Sequence, residues 1–166
     1  MCSSDLCWNG SIVGNTATVI SAGIWSSMCS DVVVSGNTLY ASTQVGEGIG
    51  GESSYRQRFI GNNVYGFAIG MYVRQLYQDM VFSGNTVVQP GGTSSYLFYN
   101  ESNTFYADLG NLTIENNLMK AIGAFAGFLP YVGNVMTVRG NHIENSIPQF
   151  ISSAGIGEII CENNKI

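Results

Sequence analysis

The sequence predicts an all-β protein, a single-stranded right-handed parallel β-helix (solenoid) of about six coils, with 22–25 residues in a regular coil. Three observations carry this prediction. An eight-residue pattern recurs seven times without gaps. An Asn stands at the same place in every copy. The composition is poor in charge (10%) but rich in Gly (21 residues) and Asn (16 residues). Self-similarity at a period of roughly 20–50 residues marks a solenoid, whose units bury their apolar faces against one another.

In chain order the copies are Gly10–Ala17, Val32–Leu39, Gln57–Val64, Met80–Val87, Leu112–Met119, Met136–Ile143 and Ile159–Ile166. Each reads apolar, x, apolar, x, Gly or Asn, Asn, x, apolar, with the first and third copies the weakest. The aligned residues are Asn15, Asn37, Asn62, Asn85, Asn117, Asn141 and Asn164, at spacings of 22, 25, 23, 32, 24 and 23. Side chains alternate along a strand, so the residues five and three before each Asn share one face. Those inward pairs are Val32/Val34, Gln57/Phe59, Met80/Phe82, Leu112/Ile114, Met136/Val138 and Ile159/Cys161, while Val33, Arg58, Val81, Thr113, Thr137 and Ile160 face outward. Gly or Asn before the ladder Asn supplies the left-handed backbone of a sharp corner. The apolar residue two places further on (Leu39, Val64, Val87, Met119, Ile143, Ile166) turns back inside. Strands this short must pair with their counterparts one coil away, about 4.8 Å distant, which stacks the Asn side chains into a ladder. Parallel crossovers dictate the right hand.

A second, fainter strand is read from Gly23-Ile24, Gly48-Ile49, Ile69-Gly70-Met71 and Phe150-Ile151. The 32-residue interval is longer than the others, and its excess is assigned to a loop within Pro90–Leu109. Insertions in solenoids emerge as loops on one face, often the binding face.

Composition removes several classes of function. A formal charge of −5 with six Lys+Arg does not suit a phosphate-binding surface, so no nucleic-acid partner is expected. The most apolar stretch, Ala121–Val135, is short of the roughly 20 residues of a spanning helix and contains Pro130, so no membrane segment is expected. No basic region followed by an apolar run is seen at the N-terminus. Residues 1–6 are read as a non-native leader, because Cys-Ser-Ser-Asp-Leu matches one reading frame of a common sequencing-adapter end. Residues 7–166 are then the β-helix, cut from a longer solenoid.

The run of Gly-Asn-Thr, Gly-Asn-Asn, Glu-Asn-Asn and Gly-Asn-His corners resembles the right-handed β-helix repeats of the pectate-lyase-like superfamily, over residues 10–166. That resemblance implies a protein working on carbohydrate polymers outside the cytoplasm, at the cell surface or on a phage particle, along a groove on one face. Tailspike-like members would add a homotrimer. It does not choose among lyases, hydrolases, tailspikes and noncatalytic surface proteins, since fold does not fix function. The family's catalytic motifs are missing: there is no Asp-Asp pair, and the one histidine, His142, stands in a corner. Glu158 is placed before a strand and Glu162 at its outward end, which reads as solvated acids. No metal or cofactor is called for.

The candidate binding residues are Tyr96, Tyr99 and Tyr106, whose rings can stack on sugar faces, with Glu101 and Asp108 as neighbouring carboxylates and weak catalytic candidates. The competing reading is that Phe98, Phe105 and some of these Tyr fill a widened coil. Asp31, Arg56 and Asp79, each six before a ladder Asn, are expected to stack with alternating sign, either as a surface ladder or as one wall of a groove. Cys161 is read as buried. Cys7 and Cys29, both eight before a ladder Asn, fall one above the other, as stacked thiols or as a disulfide. Three functions stay open: a polysaccharide-contacting region of a secreted or surface protein, a fragment of a polysaccharide lyase or glycoside hydrolase, and a structural spacer or adhesin.

Overall fold

The computed structural model describes residues 2–5, 8–76, 79–90, 95–101, 110–122, 126–129, 135–144, 146–148 and 158–166, with side chains for 8–74, 79–90, 95–99, 110–122, 135–144 and 158–166. Among these residues there are twenty strands and no helix. Numbered in chain order, they fall into three parallel sheets. Sheet I holds β1 (Cys2–Asp5), β4 (Ile24–Ser27), β7 (Glu47–Ser54), β10 (Ile69–Leu76), β13 (Tyr96–Glu101), β16 (Ala126–Leu129) and β19 (Ser146–Pro148). Sheet II holds β2 (Ser11–Val13), β5 (Val33–Ser35), β8 (Gln57–Ile60), β11 (Met80–Ser83), β14 (Leu112–Glu115), β17 (Val135–Arg139) and β20 (Glu158–Glu162). Sheet III holds β3 (Thr16–Val19), β6 (Thr38–Ala41), β9 (Asn63–Tyr65), β12 (Thr86–Gln89), β15 (Leu118–Ala121) and β18 (His142–Glu144). The chain visits I, II and III in turn, so each strand pairs with the one a full coil away: a parallel β-solenoid.

The six strands of sheet III define about five turns, against the six expected. The last motif copy accounts for the difference. It supplies a sheet II strand and a corner, but beyond that only one bridge, between His142 and Lys165.

The Asn residues stand at the corner between sheets II and III. Each side-chain Nδ2 donates to the Oδ1 of the next Asn: Asn15 to Asn37 at 2.9 Å, Asn37 to Asn62 at 2.9 Å, Asn62 to Asn85 at 3.0 Å, Asn85 to Asn117 at 3.0 Å, Asn117 to Asn141 at 2.9 Å and Asn141 to Asn164 at 3.0 Å. The same Oδ1 accepts the backbone N–H of the preceding Asn, as at Asn62, which takes that of Asn37 at 3.0 Å. The second Nδ2 proton goes to the carbonyl three before the previous ladder Asn, for instance from Asn62 to Val34 at 3.0 Å. A buried amide such as Asn62 therefore makes all four hydrogen bonds its chemistry allows, and burial costs it no unpaired group.

The corner geometry is as the motif requires. Gly14, Gly36, Gly61, Gly84 and Gly140 have φ between 61° and 67°, and Asn116 and Asn163 take the same place with φ of 54° and 51°. At Gly61 an added Cβ would meet nothing within 4 Å, so the backbone angle alone selects the residue.

Inside, Val32, Val34, Phe59, Met80, Phe82, Leu112, Ile114, Met136 and Val138 are buried, and so are Leu39, Val64, Val87, Met119 and Ile143 from sheet III. Phe59 and Phe82 stack with centroids 4.7 Å apart, and Phe98 from sheet I meets Phe82 edge-on at 5.5 Å. The expected outward residues Val33, Val81, Thr113, Thr137 and Ile160 are half-buried and Arg58 is exposed. Cys161 corrects its expectation. It pairs with buried Val138, an inward register, yet it is exposed, as are Ile159 and Ile166. Burial in a solenoid comes from the rungs on either side, and these three residues lie on or after β20, which among the described residues pairs on one side only, with β17. Glu158 also opens β20 rather than preceding it. Cys29 is buried, with its Sγ 3.1 Å from the Ser27 carbonyl; Cys2 and Cys7 lie outside the described side chains, and so does the question of a bridge from Cys7.

Two substitutions measure these constraints. Asn62→Ala removes the shared acceptor of the Asn37 backbone N–H and Nδ2 and one donor to the Val34 carbonyl in the core, and is expected to cost about 3 kcal/mol in chemical unfolding. Asn15→Ala, at the exposed end of the ladder, should cost under about 1 kcal/mol; equal costs would show that the ladder bonds carry no net stability. Gly61→Ala should cost roughly 1 kcal/mol for its left-handed backbone, and Gly61→Asn clearly less. Equal thermal shifts for the two would refute a backbone origin.

Candidate functional site: the outward face of sheet I

The fainter second strand of the sequence is sheet I. Its register aligns Ile24, Ile49, Met71 and Phe98 as one row, all buried, and Trp25, Gly50, Tyr72 and Tyr99 as the next, which faces out. Phe150 and Ile151, also read as part of this strand, lie outside the described residues.

The outward row is an aromatic stack. Tyr72 and Tyr99 are nearly parallel (6°) with centroids 5.6 Å apart, and Trp25 stacks on Tyr72 at 5.2 Å and 30°. Centroids this far apart in parallel rings mean an offset stack, in which rings overlap like tiles. Trp25 reaches Tyr72 across the intervening rung because that rung carries Gly50. A Cβ there would touch the Trp25 ring at 3.0 Å and run into the Tyr72 carbonyl. Three rung intervals of about 4.8 Å give the row a length of about 14 Å along the rod.

Tyr96 joins the stack through a slip in alternation. Leu97 and Phe98 are both fully buried, and the pairing of β13 with β16 shifts register between Tyr96 and Phe98. Tyr96 and Tyr99 thus emerge on the same side, with centroids 4.9 Å apart. Below them, Gln89 donates from Nε2 to the Tyr96 carbonyl at 2.6 Å and to that of Ala68 at 3.2 Å.

Beside the rings runs a charged row, Ser27, Glu52, Arg74 and Glu101 in register. The Arg74 Nε lies 3.5 Å from Glu52 Oε1, with both side chains partly exposed. Chemically, aromatic faces can take the apolar side of a hydroxylated ring, and carboxylates can accept its hydroxyl protons.

Tyr96 and Tyr99 therefore belong to a regular strand, not to an inserted loop. Ten residues separate β13 from β14, where two and three separate the equivalent strands of the two coils before, so most of the excess length lies after Glu101. Tyr106 and Asp108 lie outside the described residues, and of Glu101 only its place in β13 is described. Sequence reading missed Trp25 and Tyr72. Both follow the Gly-apolar pairs that mark the strand (Gly23-Ile24-Trp25, Gly70-Met71-Tyr72), and extending that alignment by one residue would have found them.

Elsewhere the outward charges pair across rungs. At the corner between sheets I and II, Arg56 Nε and Nη2 donate to Asp31 Oδ1 and Oδ2, each at 2.7 Å, and Asp79 Oδ1 on the next rung accepts from Asn111 at 2.8 Å. The hydrogen bond from Arg56 holds the Asp31 carboxyl below its ordinary range. Arg139 donates to Glu115 at 2.7 and 2.8 Å. Glu144 meets Lys120 at 2.8 Å and His142 Nε2 at 3.1 Å, and the Lys120 hydrogen bond lowers the Glu144 pKa. His142 is thus an outward side chain of β18.

Compared with known proteins, the chain matches no family model, no curated protein and no solved structure.

Because Asp31 titrates lower in the folded state, its contribution is present above the unfolded value of about 3.9 and is lost as pH falls through the folded value. Asp31→Asn should lower the unfolding temperature slightly at neutral pH, and the gap to wild type should close by about pH 2. A gap that persists in acid would mean the pair is not the cause.

Proposed function

We propose that this chain is the β-helix region of a secreted or surface protein that contacts polysaccharide along the outward face of sheet I. The observation that supports this most is the stack of Trp25, Tyr72 and Tyr99, with Tyr96 tilted against Tyr99, beside Glu52 and Arg74. The corner motifs that resemble pectate-lyase-like proteins point the same way, and an extracellular or phage-particle location and a homotrimer rest on that resemblance alone. Catalysis on the polymer, by a lyase or hydrolase mechanism, has weaker support: Glu101 stands in the row of Glu52 and Arg74, two rungs from Glu52.

A second reading has an observation of its own. The rings stack on one another, and Tyr72 is only 8% exposed, as expected of a purely structural spacer or adhesin whose surface rings stabilise the rod.

Trp25 separates the two readings. Trp8, 75% exposed, is the other tryptophan of the chain, so Trp8→Phe leaves emission from Trp25 alone. Titration of that variant with a panel of soluble polysaccharides should shift the emission for at least one, and Tyr99→Ala should weaken that binding about tenfold or more. Unchanged emission throughout, with Tyr99→Ala affecting only thermal stability, would establish the spacer.

A further inference from the structure

The described residues carry their net charge on one side. With Asp5 of the leader set aside, the strands of sheet I contain Glu47, Glu52 and Glu101 against a single cation, Arg74. Among the described residues, the segments joining sheets I and II add Asp31 and Asp79 against Arg56. These five acids and two cations make −3. Sheets II and III with the last four residues hold Glu115, Glu144, Glu158 and Glu162 against Arg58, Lys120, Arg139 and Lys165, and sum to zero.

Nor do the two cations on the acidic side stand apart from acids. Arg56 is held on Asp31 through two nitrogens, with Asp79 on the following rung. Arg74 lies against Glu52, and the register puts Glu101 on its other side. Two residues of strand, at about 3.3 Å each, put the charged row about 7 Å from the ring row, within one Debye length of about 8 Å at physiological salt, so a ligand on the rings lies inside the field of the row.

From this asymmetry we propose that the sheet I face selects its polysaccharide by charge, accepting polymers without acidic groups and excluding polyuronates. This rests on the reading of that face as a polysaccharide site. The stacked rings supply attraction for any sugar, and the carboxylates accept protons from hydroxyl or amino groups. A carboxylate on the ligand would instead face a surface of its own sign, with both nearby guanidinium groups beside protein acids.

Two pairs of hexasaccharides, each with one backbone and two charges, test this: hexagalacturonate against its full methyl ester, and hexaglucosamine against its N-acetylated form. Binding is read by Trp25 emission in Trp8→Phe protein. In each pair the less negative member should bind more tightly, and residual hexagalacturonate binding should strengthen as salt is raised. Glu47→Gln combined with Glu52→Gln should improve hexagalacturonate binding about threefold or more at low salt. Hexagalacturonate that binds as tightly as its ester, weakens with salt and is lost in Arg74→Gln overturns the charge selection; if that binding also requires Tyr99, the polysaccharide reading stands without it. Failure of all four to shift Trp25 emission overturns the charge selection, and the polysaccharide reading falls with it only if the wider panel also leaves the emission unchanged.

Discussion

The hydrogen-bonded Asn ladder is the constraint on which the rest of the structure depends. A backbone that turns a sharp corner once per coil leaves carbonyls and N–H groups pointing into an apolar interior, where each unpaired group costs free energy. One amide side chain per coil satisfies them, and the amide is satisfied in turn only if the next coil places its own Asn one rung away. Corner chemistry therefore fixes register. Register in turn determines which residues form rows on the outside, so Trp25, Tyr72 and Tyr99 line up because Asn37, Asn62, Asn85 and Asn117 are bonded one to the next. A surface assembled from residues 47 and 27 positions apart is thus held in place by bonds on the opposite side of the rod.

How much could be read in advance follows from the same physics. The sheet II strands and the corners were legible because each repeats a short local pattern: alternation before the corner, a left-handed residue, then Asn. Sheet I was only faintly legible. Its inward positions mix Gly48 and Gly70 with Leu97, so no hydrophobic period survives, and consecutive burial of Leu97 and Phe98 breaks the alternation that would have placed Tyr96. Tyr96 and Tyr99 were read as candidates from composition, but on an inserted loop. Their actual partners in the stack, Trp25 and Tyr72, carry no motif and become visible only in register. Cys161 shows the converse. Its position in the strand was read correctly, yet burial is a property of the neighbouring rungs and cannot be read from one motif copy.

Chain length between corners is decoupled from all of this. Asn85 and Asn117 are 32 residues apart and still bond at 3.0 Å, as closely as pairs 22 or 23 apart. Lengthening a loop adds closure entropy only logarithmically, whereas shifting a rung would break the ladder and three sheets together. The extra residues therefore accumulate between β13 and β14, and the strand that carries the tyrosines keeps its pairing.

The direction of the bonds has a mechanical consequence. In the ladder and in all three sheets, hydrogen bonds run along the rod and not across it. A pull spread over a whole rung loads the bonds of three strands and one Asn pair at once. Pulling on a single chain end loads them one after another, as in unzipping. The same set of bonds thus resists stretching as a column and yields to peeling as a ribbon, and the choice between them is made by how the rod is gripped.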